Sequence, residues 1–138
     1  MATITKFEDL EIWKAAQNIA SSVYKLCDAN VKISKDFSFK DQIKRASLSI
    51  SNNIAEGFEY SNNNDFNRFL RIAKGSCGEV KNCLLFSIRV GFTNEVDIEN
   101  IIEDCTTLGN KIGKLMKYLK EIKMAKGNTT RNPKQNNS

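Results

Sequence analysis

The chain has 138 residues, 41% of them hydrophobic and 27% charged, and a formal net charge of +5. It is one domain's worth, large enough for an apolar core without disulfide staples. It contains no histidine, which excludes a Ser-His or Cys-His nucleophile, a Cys/His zinc site and the Glu-x-x-His ligands of di-metal bundles.

No apolar run approaches the roughly 18 residues of a membrane span, and the opening Met-Ala-Thr-Ile-Thr-Lys lacks a signal peptide's apolar segment. The expected compartment is the cytoplasm, with no membrane partner. Four cysteines, Cys27, Cys77, Cys83 and Cys105, fall within helical patterns and form no Cys-x-x-Cys pair, so they read as small buried hydrophobes. The charge is uneven. Residues 111–138 hold eight bases against the single acid Glu121, leaving 13 bases and 15 acids for the first 110 residues. A basic C-terminal end fits a polyanion, and it equally fits a solvated tail.

In chain order, the first predicted helix begins near Asp9 or Leu10 and runs to about Asp28, with Ile12, Trp13, Ala16, Ile19, Ala20, Val23, Leu26 and Cys27 on its inward stripe. Residues 29–37 show no clean period and read as a loop, with Ser38 as the expected cap of the next helix. On that second helix Ile43, Ala46, Ser47, Ile50 and Ile54 share a face at roughly 100° per residue. Gly57 is placed to end it in the left-handed conformation. Along its flank run Gln42, Ser49, Asn53 and Glu56, polar groups that need partners when half-buried. Those partners are expected in one another, in Arg45, in Ser76 or Glu79, or across a subunit boundary.

The third helix is predicted from about Asp65 to Val90, stopping at Gly91, with Phe66, Phe69, Leu70, Ala73, Cys77, Val80, Leu84 and Ile88 facing inward. Ile72, Phe86 and Val90 lie well round the cylinder, so this helix is expected to meet a neighbouring subunit. Its Gly75-Ser76-Cys77-Gly78 run is read as close approach by another helix. No strand precedes it and no Gly-Lys-Ser/Thr follows, as a phosphate loop would need.

The fourth helix starts around residues 94–97. It carries Ile98, Ile101, Cys105, Leu108, Ile112, Leu115, Leu119 and Ile122 inward, and its packed part is expected to end near Ile122. Residues 1–126 thus form the domain, and residues 127–138 read as a disordered polar and basic tail. The fold class is all-α, an antiparallel up-and-down four-helix bundle.

Phe7-Glu8-Asp9-Leu10-Glu11-Ile12-Trp13-Lys14-Ala15, Gln42-Ile43-Lys44-Arg45-Ala46, Asn53-Ile54-Ala55-Glu56-Gly57-Phe58 and Ile72-Ala73-Lys74-Gly75-Ser76 with Glu79 together resemble one bacterial four-helix-bundle family. It is often labelled the 23S rRNA intervening-sequence protein family and is related to the accessory variability determinant protein of diversity-generating retroelements. The resemblance spans about residues 7–122. It implies a homopentameric ring and no known enzymatic activity. The retroelement relative binds a reverse transcriptase, and nucleic acid through basic surface. Two departures stand out: no proline accompanies Phe37, and Glu59-Tyr60 stands where an arginine often follows Glu-Gly-Phe.

No catalytic residue, metal ligand set or cofactor motif is legible, and Glu56 with Glu79 is a weak carboxylate pair. The expected function is non-enzymatic: an oligomer that binds RNA or other nucleic acid through basic surface, with a protein-interaction scaffold as the alternative. The candidate nucleic-acid residues are Arg68, Arg71, Lys74, Lys81 and Arg89 on an acid-free arc of the third helix, with Lys114, Lys117 and Lys120 on the fourth. Gln42, Arg45, Asn53, Glu56, Gly57, Gly75 and Glu79 are the candidate packing and assembly residues.

Overall fold

Short polar side chains set most of the helix starts. Asn30 Oδ1 accepts from the Ile33 amide at 2.9 Å, Asp36 Oδ1 from the Phe39 amide at 3.0 Å, and Asn62 Oδ1 from the Asp65 amide at 2.8 Å. Asn94 and Asp97 cap reciprocally, each side chain accepting from the other's backbone amide, which satisfies two donors that a helix start otherwise leaves open. The structure is a computed structural model that describes residues 3–130, with side chains to Ile122. After a 3-10 turn over Phe7–Asp9 come α1 (Glu11–Ala29), α2 (Val31–Lys35), α3 (Phe37–Glu59), α4 (Asn63–Arg89) and α5 (Glu95–Thr130). Among the described residues there is no strand.

The four long helices share one core. α3 packs between α1 and α4, α4 between α3 and α5, and α1 also meets α5, which closes the circuit. The three-and-four stripes read from the sequence are the buried faces: Ile19 and Val23 from α1, Ile43, Ile50 and Ile54 from α3, Leu70, Val80 and Leu84 from α4, and Ile98, Leu108 and Ile112 from α5. Each such side chain contributes about 1.5–3 kcal/mol on burial, against tenths of a kcal/mol per residue from helix propensity. Packing therefore decides the fold. Two hydroxyl links tie α3 to its neighbours: Gln17 Nε2 of α1 donates to Ser51 Oγ at 3.0 Å, and Ser76 Oγ of α4 donates to Ser49 Oγ at 2.9 Å.

Three sequence expectations are corrected. The segment 29–37 is not all loop: α2 occupies Val31–Lys35, because Asn30 caps it and Ile33 plugs fully into the core. Asp36, not Ser38, caps α3. Gly57 does not end α3 in the left-handed region. The helix continues to Glu59, and the positive φ falls on Ser61, at 60°. Gly57 instead marks a crossing point, since a Cβ there would lie 2.7 Å from Phe69 Cβ and 3.2 Å from Phe66 Cδ1 of α4. α5 runs to Thr130, and the last buried side chain among those described is Leu119. No proline interrupts it before Pro133, and one glycine costs a helix only about 1 kcal/mol. The rest of the expected tail, 131–138, lies outside the described residues.

Gly91, expected to stop the third helix, does so with φ of 78°. Ser61 holds a similar conformation without glycine's freedom, at a cost of about 1–2 kcal/mol. Ser61→Gly is expected to raise stability by a few tenths to about 1 kcal/mol, the strain relieved less the extra entropy of an unfolded glycine. The urea midpoint should rise at unchanged slope.

Candidate nucleic-acid interface

The α4–α5 register is set by side chains that cross the seam. Lys81 Nζ donates to Thr106 Oγ1 at 3.3 Å and Asn67 Nδ2 donates to the Met116 carbonyl at 3.2 Å. Between them, a Cβ placed on Gly109 would touch Cys77 Cβ, and one on Gly113 would press on Lys74 Cε. The stretch 66–78 of α4 therefore lies beside 109–116 of α5. Those neighbouring stretches, extended on α5 to cover 105–120, carry Arg68, Arg71, Lys74, Lys111, Lys114, Lys117 and Lys120, all exposed, and no acid. Two basic segments far apart in sequence become neighbours, although lysines spaced by three turn steadily round α5, so that Lys111 and Lys120 stand about half a turn apart.

α5 itself is divided by charge. Glu95, Asp97, Glu99, Glu103 and Asp104 occupy its first turns and the lysines come after. Acids near the start and bases toward the end both favour the helix through its macrodipole.

The expected third-helix arc is only partly one site. Arg71 and Lys74 stand at its centre and are free of ion pairs among the described residues. Arg68 is drawn to Asp65 at 3.1 Å, with its guanidinium 5.4 Å from the Phe69 ring, so the arc has an acid at its edge. Lys81 is half-buried on Thr106. Arg89 closes α4, 15 residues and about 22 Å of helix beyond Lys74, and belongs to the other end of the molecule. Lys114, Lys117 and Lys120 lie on the neighbouring stretch of α5.

Of the packing set, Asn53 Nδ2 donates to the Ser49 carbonyl at 2.7 Å and to Ser49 Oγ at 2.9 Å, extending the Ser49–Ser76 link. Arg45 pairs with Asp41, at 3.0 Å on its own helix, rather than with the polar row. Gln42, Glu56 and Glu79 are exposed. Gly75 and Gly78 face open space, with nothing within 4 Å of an added Cβ, so no helix of this chain explains them. The sequence missed a surface cleft between α3 and α4 that gathers Phe39, Phe86 and Phe92. The one signal for it was Phe86, which falls off the inward stripe.

Among the described residues no three His, Cys, Asp or Glu side chains gather as a metal site. The four thiols are buried and unpaired. Burial pushes the Cys77 thiol up to about 11 and the Cys105 thiol up to about 12, with nearby Cys77 adding to the latter. Burial also raises Cys27 and Cys83. A thiol that titrates higher folded than unfolded stabilises the fold fully below the ordinary value of 9.0 and loses that contribution as pH rises toward 11 and 12. At pH 8 the native protein should resist a disulfide-exchange reagent except at Cys83, which borders the cleft. All four thiols should react in denaturant, and the urea midpoint should fall in alkali above pH 9.

The model of the 23S rRNA-intervening sequence protein family matches residues 8–114 of the chain. The chain belongs to that family. The family segment takes in α1 to α4 and α5 as far as Lys114, so Lys117 and Lys120 lie beyond it. Among solved structures, the chain is similar to a protein of unknown function from the S23 ribosomal protein family of Bacteroides thetaiotaomicron VPI-5482. The two share 25% identity with a TM-score of 0.71, over 77% of this chain and 98% of that one. No curated protein matches the chain. Among the described residues no helix is long and apolar enough to cross a membrane.

Proposed function

We propose that this family member is a non-enzymatic, cytoplasmic accessory protein that binds RNA through the basic face of α4 and α5. The observation that carries the reading is the register that brings exposed Arg71 and Lys74 of α4 beside the stretch of α5 that carries exposed Lys114 and Lys117. Exposed lysines and arginines at helical spacing follow a phosphate backbone and release its counterions. The family name, which ties its members to 23S rRNA intervening sequences, supports RNA over other polyanions. Binding measured by filter retention from low to high salt should fall along a straight log–log line. A slope of about −0.7 is expected for each single-stranded phosphate contact. Affinity no greater than that of lysozyme, a basic control, would overturn the reading.

The same reading includes self-association, as a pentamer. Ile72 and Leu85 are each 49% exposed on α4, whereas Phe86 and Val90 line the cleft beside α3. Gly75 and Gly78, each costing a helix interior about 1 kcal/mol relative to alanine, sit on that open side. A second copy's helix approaching there gives both glycines a use, and repeating the basic face in a ring would make weak contacts act together. Gly75→Ala with Gly78→Ala should therefore raise the stability of the isolated subunit and lower the mass measured by light scattering. An unchanged mass would remove α4 from the interface. The scaffold reading draws on the same apolar residues, and pull-downs that recover protein partners after nuclease treatment would favour it.

A further inference from the structure

We propose that the cleft between the start of α3 and the end of α4 holds one unstacked nucleobase of a bound RNA. The cleft measures ≈ 470 Å³ and its apolar lining comes from three places in the chain: Phe39 of α3, Phe86 of α4 and Phe92 of the following turn. Phe39 and Phe92 meet edge to face, with centroids 5.6 Å apart at 84°, which leaves Phe86, 51% exposed, as the free aromatic surface. Aromatic lining accepts any base, because every base has a π face.

What separates a base from an aliphatic side chain is the polar rim. Gln42 and Asn82 line the cleft, both exposed, and neither side-chain amide makes a hydrogen bond within the described residues. A primary amide presents a donor beside an acceptor, which matches the paired edge of a nucleobase. A leucine or phenylalanine from a partner would cover the two amides and leave them unpaired, at a desolvation cost. Charge agrees. Lys32 Nζ rests on the Gly91 carbonyl at 3.0 Å and Lys40 Nζ on the Ser34 carbonyl at 3.1 Å, both as exposed bonds beside the cleft residues Phe92 and Phe39, and Arg89 stands exposed next to Val90. These cations suit the phosphates on either side of an inserted base.

The inference takes its RNA from the function proposed above, so the test has two arms. In the first, adenosine and uridine monophosphates are titrated into the full-length protein and compared with ribose 5-phosphate by NMR. The nucleotides should shift the Gln42 and Asn82 side-chain amides, and the sugar phosphate should not. In the second, a single-stranded RNA is compared with an abasic strand of equal length. The RNA should bind about tenfold more tightly, from one stacked base. Phe86→Ala, or the surface change Asn82→Ala, should abolish that advantage while leaving the salt slope unchanged.

Equal affinity for the two strands, or an advantage that survives both substitutions, overturns the proposal. Amide shifts that follow protein dilution and ignore nucleotides would also overturn it, by assigning the cleft to a second copy of the chain. If no RNA binds, the proposed function fails, and the monophosphate titration still decides the cleft.

Discussion

Replacing Arg71, Lys74, Lys114 and Lys117 together by alanine is expected to weaken RNA binding at 0.1 M salt by between about 10² and 10³. Each single-stranded phosphate contact contributes about 0.7 of a decade for each decade of salt below 1 M, so four contacts amount to about 2.8 decades. The log–log slope should flatten by the same 2.8. All four side chains are exposed, so stability should stay within about 0.5 kcal/mol of the parent. A matched variant that removes Lys6, Lys14, Lys25 and Lys35, exposed residues on α1 and its flanks, changes the net charge equally. It should lose far less affinity. Equal losses in the two variants would mean that only overall charge matters and that the α4–α5 face is no site.

Gly57→Val is expected to cost about 3 kcal/mol, the largest stability effect of a single substitution considered. The added Cβ meets Phe69 Cβ at 2.7 Å and the Phe66 carbonyl at 3.4 Å, atoms fixed to the backbone of α4 that no rotamer change can withdraw. Overpacking of this kind costs about 1–3 kcal/mol, more than the few tenths of a kcal/mol a helix gains when valine replaces glycine. The branched side chain adds further crowding against the Phe58–Phe66 and Tyr60–Phe69 ring pairs. With total stability of about 5–15 kcal/mol, the melting temperature should drop by about 10 °C. Gly75→Ala, with open space around it within the subunit, is the control that should not destabilise the isolated subunit. A Gly57→Val protein as stable as its parent would show that α3 and α4 can separate without loss.

The two glycines show what the sequence could and could not say. A glycine near the end of a stripe has one appearance and two meanings, a left-handed cap or a place where another backbone passes. Gly57 has the second meaning because Phe66 and Phe69, from the next helix, lie across it. The helical stripes were legible because burial imposes a period, and α2 was not, because its five residues carry one buried side chain, Ile33. The candidate site was legible in its parts. Lysines on α5 and arginines on α4 could be named, but their union depends on the register that Lys81–Thr106 and Asn67–Met116 enforce. The same register separates Arg89 from them, although a helical wheel places it on the same arc. The cleft needed three phenylalanines from distant segments, which no local pattern announces.

The division of charge along α5 gives that helix a permanent electric axis, with its positive pole at the end where Arg71, Lys74 and the α5 lysines meet. A polyanion acts on such an axis before any contact forms, turning the incoming molecule so that the basic pole leads. Salt then acts mainly on encounter. The association rate should fall steeply with ionic strength while the dissociation rate changes much less. In the proposed complex the acidic turns at the far end of α5 would take part in recognition without touching the ligand, by fixing the direction from which it arrives.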